Sequence, residues 1–346
     1  MFGFECRTAK KLLPYEKEAV CELLRVHGLI YEGNPDATVM VEDSSENLAA
    51  TASIEGNVIK MVASDPMYQE AGLAGTVVSA VIQHARDNGI FHLFLYTKPD
   101  MAEKFSYLGF SELARTGSAV LMESGLPSSS DYIKSLDKYK SDSAPFGAIV
   151  MNCNPFTKGH RYLIEQAASK CATLYVIAVE EDISDFPFKD RIDLIRAGVR
   201  DLDNVKVIPS GGYAVSRATF PSYFLKDRGC DSVSSVQAEL DVNLFASLFV
   251  PALKITQRFV GTEPFCGTTR IYNEKMKEIL PAKGVEVTEI ERISDGGGLP
   301  ISASRVREAI KSGDNVALDE LLPKTTLDYL SSERGQEVIK KMRSKI

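Results

Sequence analysis

The chain has 346 residues and a formal net charge of −7, which predicts two domains, each large enough to bury its own core. The negative charge argues against nonspecific binding to nucleic acid. Six cysteines without a Cys-x-x-Cys pair predict reduced thiols, and the charged start of the chain does not have a secretory pattern. The most apolar run, residues 244–253, is too short to span a membrane and contains Pro251. We therefore expect a cytoplasmic protein without a membrane partner.

The amino-terminal half has the pattern of an α+β domain. A β-hairpin is predicted from two apolar segments around a Glu-Gly-Asn turn, followed by an amphipathic helix, a strand and a closing Phe-Ser-Tyr-Leu-Gly-Phe segment. These elements occupy residues 48–54, 58–63, 69–82, 90–96 and 105–110.

The loop that opens this helix resembles the coenzyme-A loop of the acetyltransferase (GNAT) family, Gln/Arg-x-x-Gly-x-Gly/Ala, at Gln69, Gly72 and Ala74. The resemblance implies that these three residues bind the pyrophosphate of a coenzyme-A-like prosthetic group. Such enzymes often have a catalytic tyrosine four residues before the closing glycine, where this chain has Phe105, and Tyr107 comes two places later. We therefore expect a domain that holds the group; a purely structural remnant is the alternative.

A segment rich in Ser, Asp and Lys (residues 128–143) separates the two halves. The predicted division is an acetyltransferase-like domain, a linker, a nucleotide-binding domain and a carboxyl-terminal helix, at residues 1–125, 126–145, 146–330 and 331–346.

The first chemical motif follows an apolar strand at residues 148–151. A turn rich in Asn, Pro and Gly places Thr157, Gly159 and His160 in the first turn of a helix at residues 161–169. Free backbone N–H groups and the positive end of the helix dipole favour a phosphate there. A histidine adds a donor that can follow charge on a transferring phosphoryl group, and a side chain at position 159 would crowd the phosphates.

Strands and helices alternate after this motif, which predicts a doubly wound parallel sheet that binds its ligand at the carboxyl ends of the strands. The predicted strands are residues 174–179, 204–208, 255–260 and 285–290, and the predicted helices are residues 188–199 and 271–280. The polar and aromatic insertion at residues 209–254 interrupts the alternation, and such an insertion is typical of a functional segment.

A second motif follows a glycine-rich loop at residues 295–300. Ser302 is a suitable N-cap, and Val306, Ala309 and Ile310 form the apolar face of a helix.

Together the two motifs resemble the (His/Thr)-x-Gly-His and Ile-Ser-Ser-Thr-x-x-Arg signatures of the nucleotidyltransferase superfamily. Ser304 takes the threonine position and Arg307 the arginine position, whereas Ala303 replaces the second serine.

Longer strings narrow this resemblance to the citrate lyase ligase family, over about residues 145–325. They are Ser-Gly-Gly-Tyr-x-x-Ser-Arg-Ala-Thr-Phe-Pro-Ser-Tyr-Phe from Ser210, Asp-Phe-Pro-Phe from Asp185 with Arg191, and Gly-x-Glu-Pro-Phe from Gly261 with Arg-Ile-Tyr-Asn from Arg270. The resemblance implies an enzyme that uses ATP and acetate to acetylate a thiol, releasing AMP and pyrophosphate. The implied thiol belongs to a coenzyme-A-like prosthetic group on the acyl-carrier subunit of citrate lyase.

The resemblance also implies roles for individual residues. His160 would donate to the α-phosphate, Thr157 would help to position the acceptor, and Lys189 would offset the charge of acetate. The nucleotide-binding residues would be Asn152, Asn154, Pro155, Phe156, Gly159, Gly261, Glu263, Ile301, Ser302, Ser304 and Arg307. Mg²⁺ would accompany ATP, and no protein metal site is expected because the remaining histidines lack metal-ligand spacing.

Two alternatives remain. One is an adenylyltransferase that condenses ATP with a phosphorylated acceptor, of the pantetheine-phosphate or nicotinamide-nucleotide type, fused to an acetyltransferase-like domain. The other is a noncatalytic nucleotide-sensing module that docks carrier proteins.

Overall fold

The computed structural model describes residues 3–180, 184–214, 220, 223, 230–263 and 267–344. It divides into two compact units that are discontinuous in sequence. Unit 1 comprises residues 1–134 and 215–247, and unit 2 comprises residues 135–214 and 248–346. The domain boundaries inferred from the sequence stay predictions.

Unit 1 is built on a seven-stranded mixed sheet with the order β1-β2-β3-β4-β5-β7-β6. Its elements in chain order are β1 (Glu5–Ala9), α1 (Pro14–Val26), β2 (Ala37–Glu42), β3 (Leu48–Glu55), β4 (Val58–Ser64), α2 (Leu73–Asp87), β5 (His92–Thr97), α3 (Ala102–Ser106), β6 (Ser111–Arg115), β7 (Val120–Gly125) and α4 (Ser129–Ser135). Among the described strands of this sheet, β4 and β5 pair in parallel and the other pairs are antiparallel. The predicted hairpin is β3–β4, and α2 buries Val77, Val78 and Val81 against the sheet, which confirms the α+β prediction.

Unit 2 is built on a five-stranded, wholly parallel sheet with the order β10-β9-β8-β11-β12. Its elements are β8 (Phe146–Met151), α5 (Lys158–Ala168), β9 (Thr173–Ala178), α6 (Phe188–Gly198), β10 (Val205–Pro209), the last residues of α7 (Cys230–Leu253), β11 (Gln257–Gly261), α8 (Gly267–Ile279), β12 (Glu286–Ile290), α9 (Ala303–Ser312), α10 (Asn315–Leu321), α11 (Lys324–Ser331) and α12 (Glu333–Arg343). The predicted doubly wound sheet is confirmed. The strand order reverses at β8, so the gap between β8 and β11 is the switch point at which such sheets bind ligands.

Helix α7 begins well before the apolar run that the sequence analysis considered. Its stretch Val233–Leu253 is 21 residues long with a mean hydropathy of 1.2, enough by length and composition to cross a membrane, and 67% of its most apolar window is buried inside the fold. The sequence analysis took residues 244–253 alone, because polar residues interrupt the apolar pattern upstream. Burial of this extent is also found in core helices of globular proteins.

The amino-terminal part of α7 belongs to unit 1. The Asn243 side chain donates to the carbonyl of Arg115 at 3.0 Å, and the Ser247 hydroxyl donates to the carbonyl of Leu113 at 3.2 Å. The Tyr223 hydroxyl donates to the carbonyl of Tyr96 at 2.8 Å. Within the predicted insertion, residues 215–247 therefore belong to the amino-terminal unit, whereas residues 209–214 and 248–254 belong to unit 2. Of the former, residues 215–219, 221–222 and 224–229 lie outside the described residues.

Candidate active site

The turn that follows β8 is held by a buried arginine from α6. Arg191 is fully buried and donates to the carbonyls of Asn152 and Val179 at 2.8 Å and to that of Phe186 at 3.0 Å. A buried guanidinium is tolerated when its N–H groups are paired in this way. Arg191 therefore fixes the end of β8 relative to the end of β9.

The amide side chains of the turn bind protein groups. Asn152 accepts from Arg191 at 2.5 Å and donates to the Ser184 hydroxyl at 3.1 Å, and Asn154 accepts from the backbone N–H of Phe186 at 3.0 Å. The structure thus shows a scaffolding role for both residues, and their predicted contact with the nucleotide stays a prediction.

Thr157 and His160 form a reciprocal cap at the start of α5. The Thr157 hydroxyl oxygen accepts from the His160 backbone N–H at 3.2 Å, and Nδ1 of His160 accepts from the Thr157 backbone N–H at 3.1 Å. Because Nδ1 is an acceptor, the proton of the neutral imidazole is on Nε2. Thr157 is 1% exposed and its backbone N–H and hydroxyl oxygen both hydrogen-bond His160, so it orients the imidazole. The Nε2–H group of His160 can therefore donate to a ligand.

The surroundings of His160 keep its imidazole neutral. Burial, with a further contribution from the positive charge of Arg292, lowers its pKa to about 4. The Phe156 ring is fully buried and stacks on the imidazole with a centroid distance of 6.0 Å. Phe156 therefore supports the histidine from the core side. At neutral pH His160 offers a hydrogen bond without a full positive charge.

The second motif lies directly against the first. Ser302 is the N-cap of α9 and accepts from the backbone N–H of Arg305 at 3.3 Å. The carbonyl oxygen of Ile301 lies 2.7 Å from the position that a β-carbon on Gly159 would take. A β-carbon essentially never comes so close to a backbone atom, so Gly159 is needed for the contact between the motifs themselves.

Arg307 joins the α9 helix to the turn after β8. It donates to the carbonyl of Asn154 at 2.7 Å and to the Ser304 hydroxyl at 3.1 Å, and its Nε lies 3.6 Å from the Asp185 carboxylate. Its guanidinium thus has protein partners on both motifs. The predicted phosphate clamp stays a prediction.

The two motifs border a pocket of about 270 Å³ at the carboxyl ends of β11 and β12. Its lining includes six predicted residues: Gly159, His160, Gly261, Ile301, Ser302 and Ser304. It also includes Arg292, which the sequence analysis missed although it follows the predicted strand at residues 285–290 by two positions. Glu263, which the sequence analysis predicted to bind the nucleotide, accepts a hydrogen bond from Arg292 at 2.5 Å.

Other predicted residues lie outside this lining. Lys189 is exposed in the first turn of α6, and Pro155 is buried in the turn. Within the described part of the chain, no group of three or more His, Cys, Asp or Glu side chains could hold a metal ion.

The predicted prosthetic-group loop in unit 1 has a left-handed residue at the start of α2. Gly72 has φ +67° and ψ 20°, and none of the described side chains caps the helix. Ala74 is half-buried in its first turn, and the side chain of Gln69 lies outside the described residues. Phe105 is 6% exposed and packs edge-on against Phe110, so the position expected for a catalytic tyrosine belongs to the core.

Two of the solved structures similar to the chain match about a third of its length. A putative N-acetyltransferase from Lactobacillus plantarum is 14% identical, with a TM-score of 0.31 over 36% of this chain and 98% of that one. An acyl-CoA N-acyltransferase from Pseudomonas aeruginosa is 16% identical, with a TM-score of 0.30 over 36% of this chain and 100% of that one.

A family profile and two relatives identify the family to which the chain belongs. Residues 146–330 match the profile of the citrate lyase ligase C-terminal domain. The [citrate [pro-3S]-lyase] ligase of Klebsiella pneumoniae is 43% identical over 319 residues, which cover 91% of this chain and 92% of that protein. The [citrate [pro-3S]-lyase] ligase of Escherichia coli K12 is 39% identical over 339 residues, which cover 96% of this chain and 95% of that protein. At such identity over nearly the whole of each protein, the chain belongs to the citrate lyase ligase family.

Proposed function

We propose that this chain is the ligase that activates acetate with ATP and acetylates the thiol of the coenzyme-A-like prosthetic group on the citrate lyase acyl-carrier subunit. The observation that carries the proposal is the His160 Nε2–H donor, fixed by its cap with Thr157 beside a pocket that the second motif closes. The named relatives support the reaction, and a cytoplasmic location is part of the proposal.

The first half-reaction is the formation of acetyl-adenylate. A carboxylate oxygen of acetate attacks the α-phosphorus of ATP, the bond from that phosphorus to the bridging oxygen breaks, and pyrophosphate leaves. His160 donates its Nε2–H to an α-phosphoryl oxygen as negative charge grows there. Placement and charge stabilisation of this kind account for most of the catalysis in phosphoryl transfer.

The triphosphate is bound between two helix starts. The first turns of α5 and α9 both line the pocket, and the positive ends of their helix dipoles favour phosphate. Arg307 and Ser304 keep the turn and α9 at a fixed spacing. We expect Mg²⁺ to arrive with ATP as its substrate complex.

The second half-reaction transfers the acetyl group. The thiol sulfur attacks the carbonyl carbon of acetyl-adenylate, AMP leaves, and the thiol proton is released. The Gly72 loop of unit 1 is proposed to hold the pyrophosphate of the prosthetic group during this step, because no side chain that the structure describes caps its helix start.

Two assays test the proposal. Purified protein should catalyse exchange between pyrophosphate and ATP that depends on acetate, and should restore thioester to deacetylated citrate lyase. His160→Ala should slow the exchange by about 10²- to 10⁴-fold, because a transition-state donor is lost, whereas His84→Ala in unit 1 should not. A wild-type protein that transfers AMP only to a phosphorylated acceptor, or a His160→Ala protein within about threefold of wild type, would contradict it.

A further inference from the structure

Arg292 places a positive charge in the pocket. It lies two residues beyond β12, and among the described residues that line the pocket it is the only lysine or arginine. Its side chain is 31% exposed. A ligand in the pocket can therefore reach its guanidinium.

The guanidinium is held in a fixed position. The Arg292 backbone N–H donates to the Thr262 hydroxyl at 3.3 Å, and its Nη2 donates to the Glu263 carboxylate, whose side chain is 7% exposed. A guanidinium has five N–H donors. Within the described part of the chain the Glu263 carboxylate is the only side-chain partner of these donors, so Nε–H and Nη1–H can bind a ligand.

The proposed reaction needs a positive charge here. A carboxylate must approach an α-phosphate, and two anions repel each other. His160 is neutral at neutral pH, since its pKa is lowered to about 4. Arg307 already binds Asn154 and Ser304, and Lys189 lies outside the pocket lining. Arg292 is near enough to His160 for its charge to lower the pKa of the imidazole.

We propose that Arg292 is a catalytic residue that binds the oxyanion at the reaction centre, and that Glu263 is the positioning residue that holds its guanidinium. The oxyanion is either an α-phosphoryl oxygen of ATP or the carboxylate oxygen of the acid that attacks it. This inference rests on the proposed function.

The two sources of the oxyanion are distinguished by separate measurements. Binding of AMP and of adenosine is compared by calorimetry, because the two ligands differ only by the α-phosphoryl group. KM for acetate is measured by pyrophosphate exchange. The variants are Arg292→Gln and Arg292→Lys; the control is Arg270→Gln, which removes an exposed arginine of α8 whose ion pair with Glu274 spans 3.9 Å.

If Arg292 binds the α-phosphoryl oxygen, Arg292→Gln should weaken AMP at least tenfold and leave adenosine unchanged. If it binds the acid, KM for acetate should rise at least tenfold instead. In either case kcat should fall by about 10²- to 10³-fold, as on loss of an oxyanion donor. Arg292→Lys should recover little of this loss in kcat, because an ammonium lacks the planar set of N–H donors of a guanidinium. Changes below threefold in all three quantities, as expected for Arg270→Gln, would overturn the inference.

A second readout does not depend on turnover. Arg292→Gln should raise the pKa of His160 in an NMR titration, because a nearby positive charge is removed, and Arg270→Gln should not. An unchanged His160 pKa would overturn the inference. If the wild type lacks acetate-dependent exchange, the proposed function fails, whereas AMP binding still decides whether Arg292 binds an α-phosphoryl oxygen, and the His160 titration still decides whether its charge acts on His160.

Discussion

The carbonyl oxygen of Ile301 lies 2.7 Å from where a β-carbon on Gly159 would be, so the two motifs meet at a glycine that has no room for a side chain. Gly159 is in the first turn of α5 and Ile301 comes just before the cap of α9. The helix start that carries His160 and the helix start that carries Ser304 are therefore packed as one assembly.

Gly159→Ala should separate the two motifs. Ala normally favours a helix by about 1 kcal/mol over Gly, but here its β-carbon would meet a backbone oxygen. We expect no gain in the unfolding free energy, and a loss of roughly tenfold to hundredfold in acetate-dependent pyrophosphate exchange, because a shift of about 1 Å in a site can cost that much. Gly267→Ala is the matched control, since no atom of the described residues lies within 4 Å of its β-carbon position. Equal behaviour of the two variants would argue against the contact.

The sequence predicted those parts of the site that have a local pattern. Thr157, His160 and Ser302 follow from helix capping and motif spacing, and the parallel sheet follows from alternating elements. Arg292 was missed because an arginine just beyond a strand has no sequence pattern of its own. Its relation to the site is seen only in the structure, from its contact with Glu263 and its place in the pocket lining. The discontinuity of unit 1 was missed because hydrogen bonds such as Tyr223 to Tyr96 join residues far apart in sequence.

The lowered pKa of His160 has a consequence for pH. Its folded value of about 4 lies below the usual value near 6.5, so between these two pH values the unfolded chain binds a proton that the folded chain does not. His160 should therefore reduce stability as pH falls from 6.5 to 4, and should have no effect on stability above pH 6.5. NMR titration should show its ring neutral at pH 6 with the proton on Nε2, using His160→Gln for assignment. A midpoint near 6.5 would contradict this environment.

Arg307→Lys tests whether ATP binding needs the planar guanidinium of Arg307 or only its positive charge. The guanidinium bonds Asn154 and Ser304 at once, and an ammonium cannot reproduce that geometry. We expect KM for ATP to rise more than KM for acetate, and Arg307→Ala to be more severe. Ser304→Ala, which removes one hydrogen-bond partner of Arg307 and leaves Asn154 and Asp185, should have a smaller effect of the same kind. Equal changes in both KM values would show that Arg307 acts only on the structure of the turn.

Gly72→Glu tests whether unit 1 holds the prosthetic group. Gly72 has φ +67°, so any other residue there is strained, and Gly72→Asn controls for strain because Asn tolerates this region. Ala74→Glu adds the same charge two residues later without a left-handed backbone.

Both glutamate variants should spare acetate-dependent pyrophosphate exchange, because acetyl-adenylate is made in unit 2. They should slow acetylation of the carrier protein at least about tenfold, since like charges roughly 4 Å apart near a protein surface repel by about 1–4 kcal/mol. Gly72→Asn should leave both half-reactions close to wild type. If the glutamate variants are folded and acetylate the carrier at the wild-type rate, the Gly72 loop does not hold the prosthetic group, and the thiol reaches the adenylate without it.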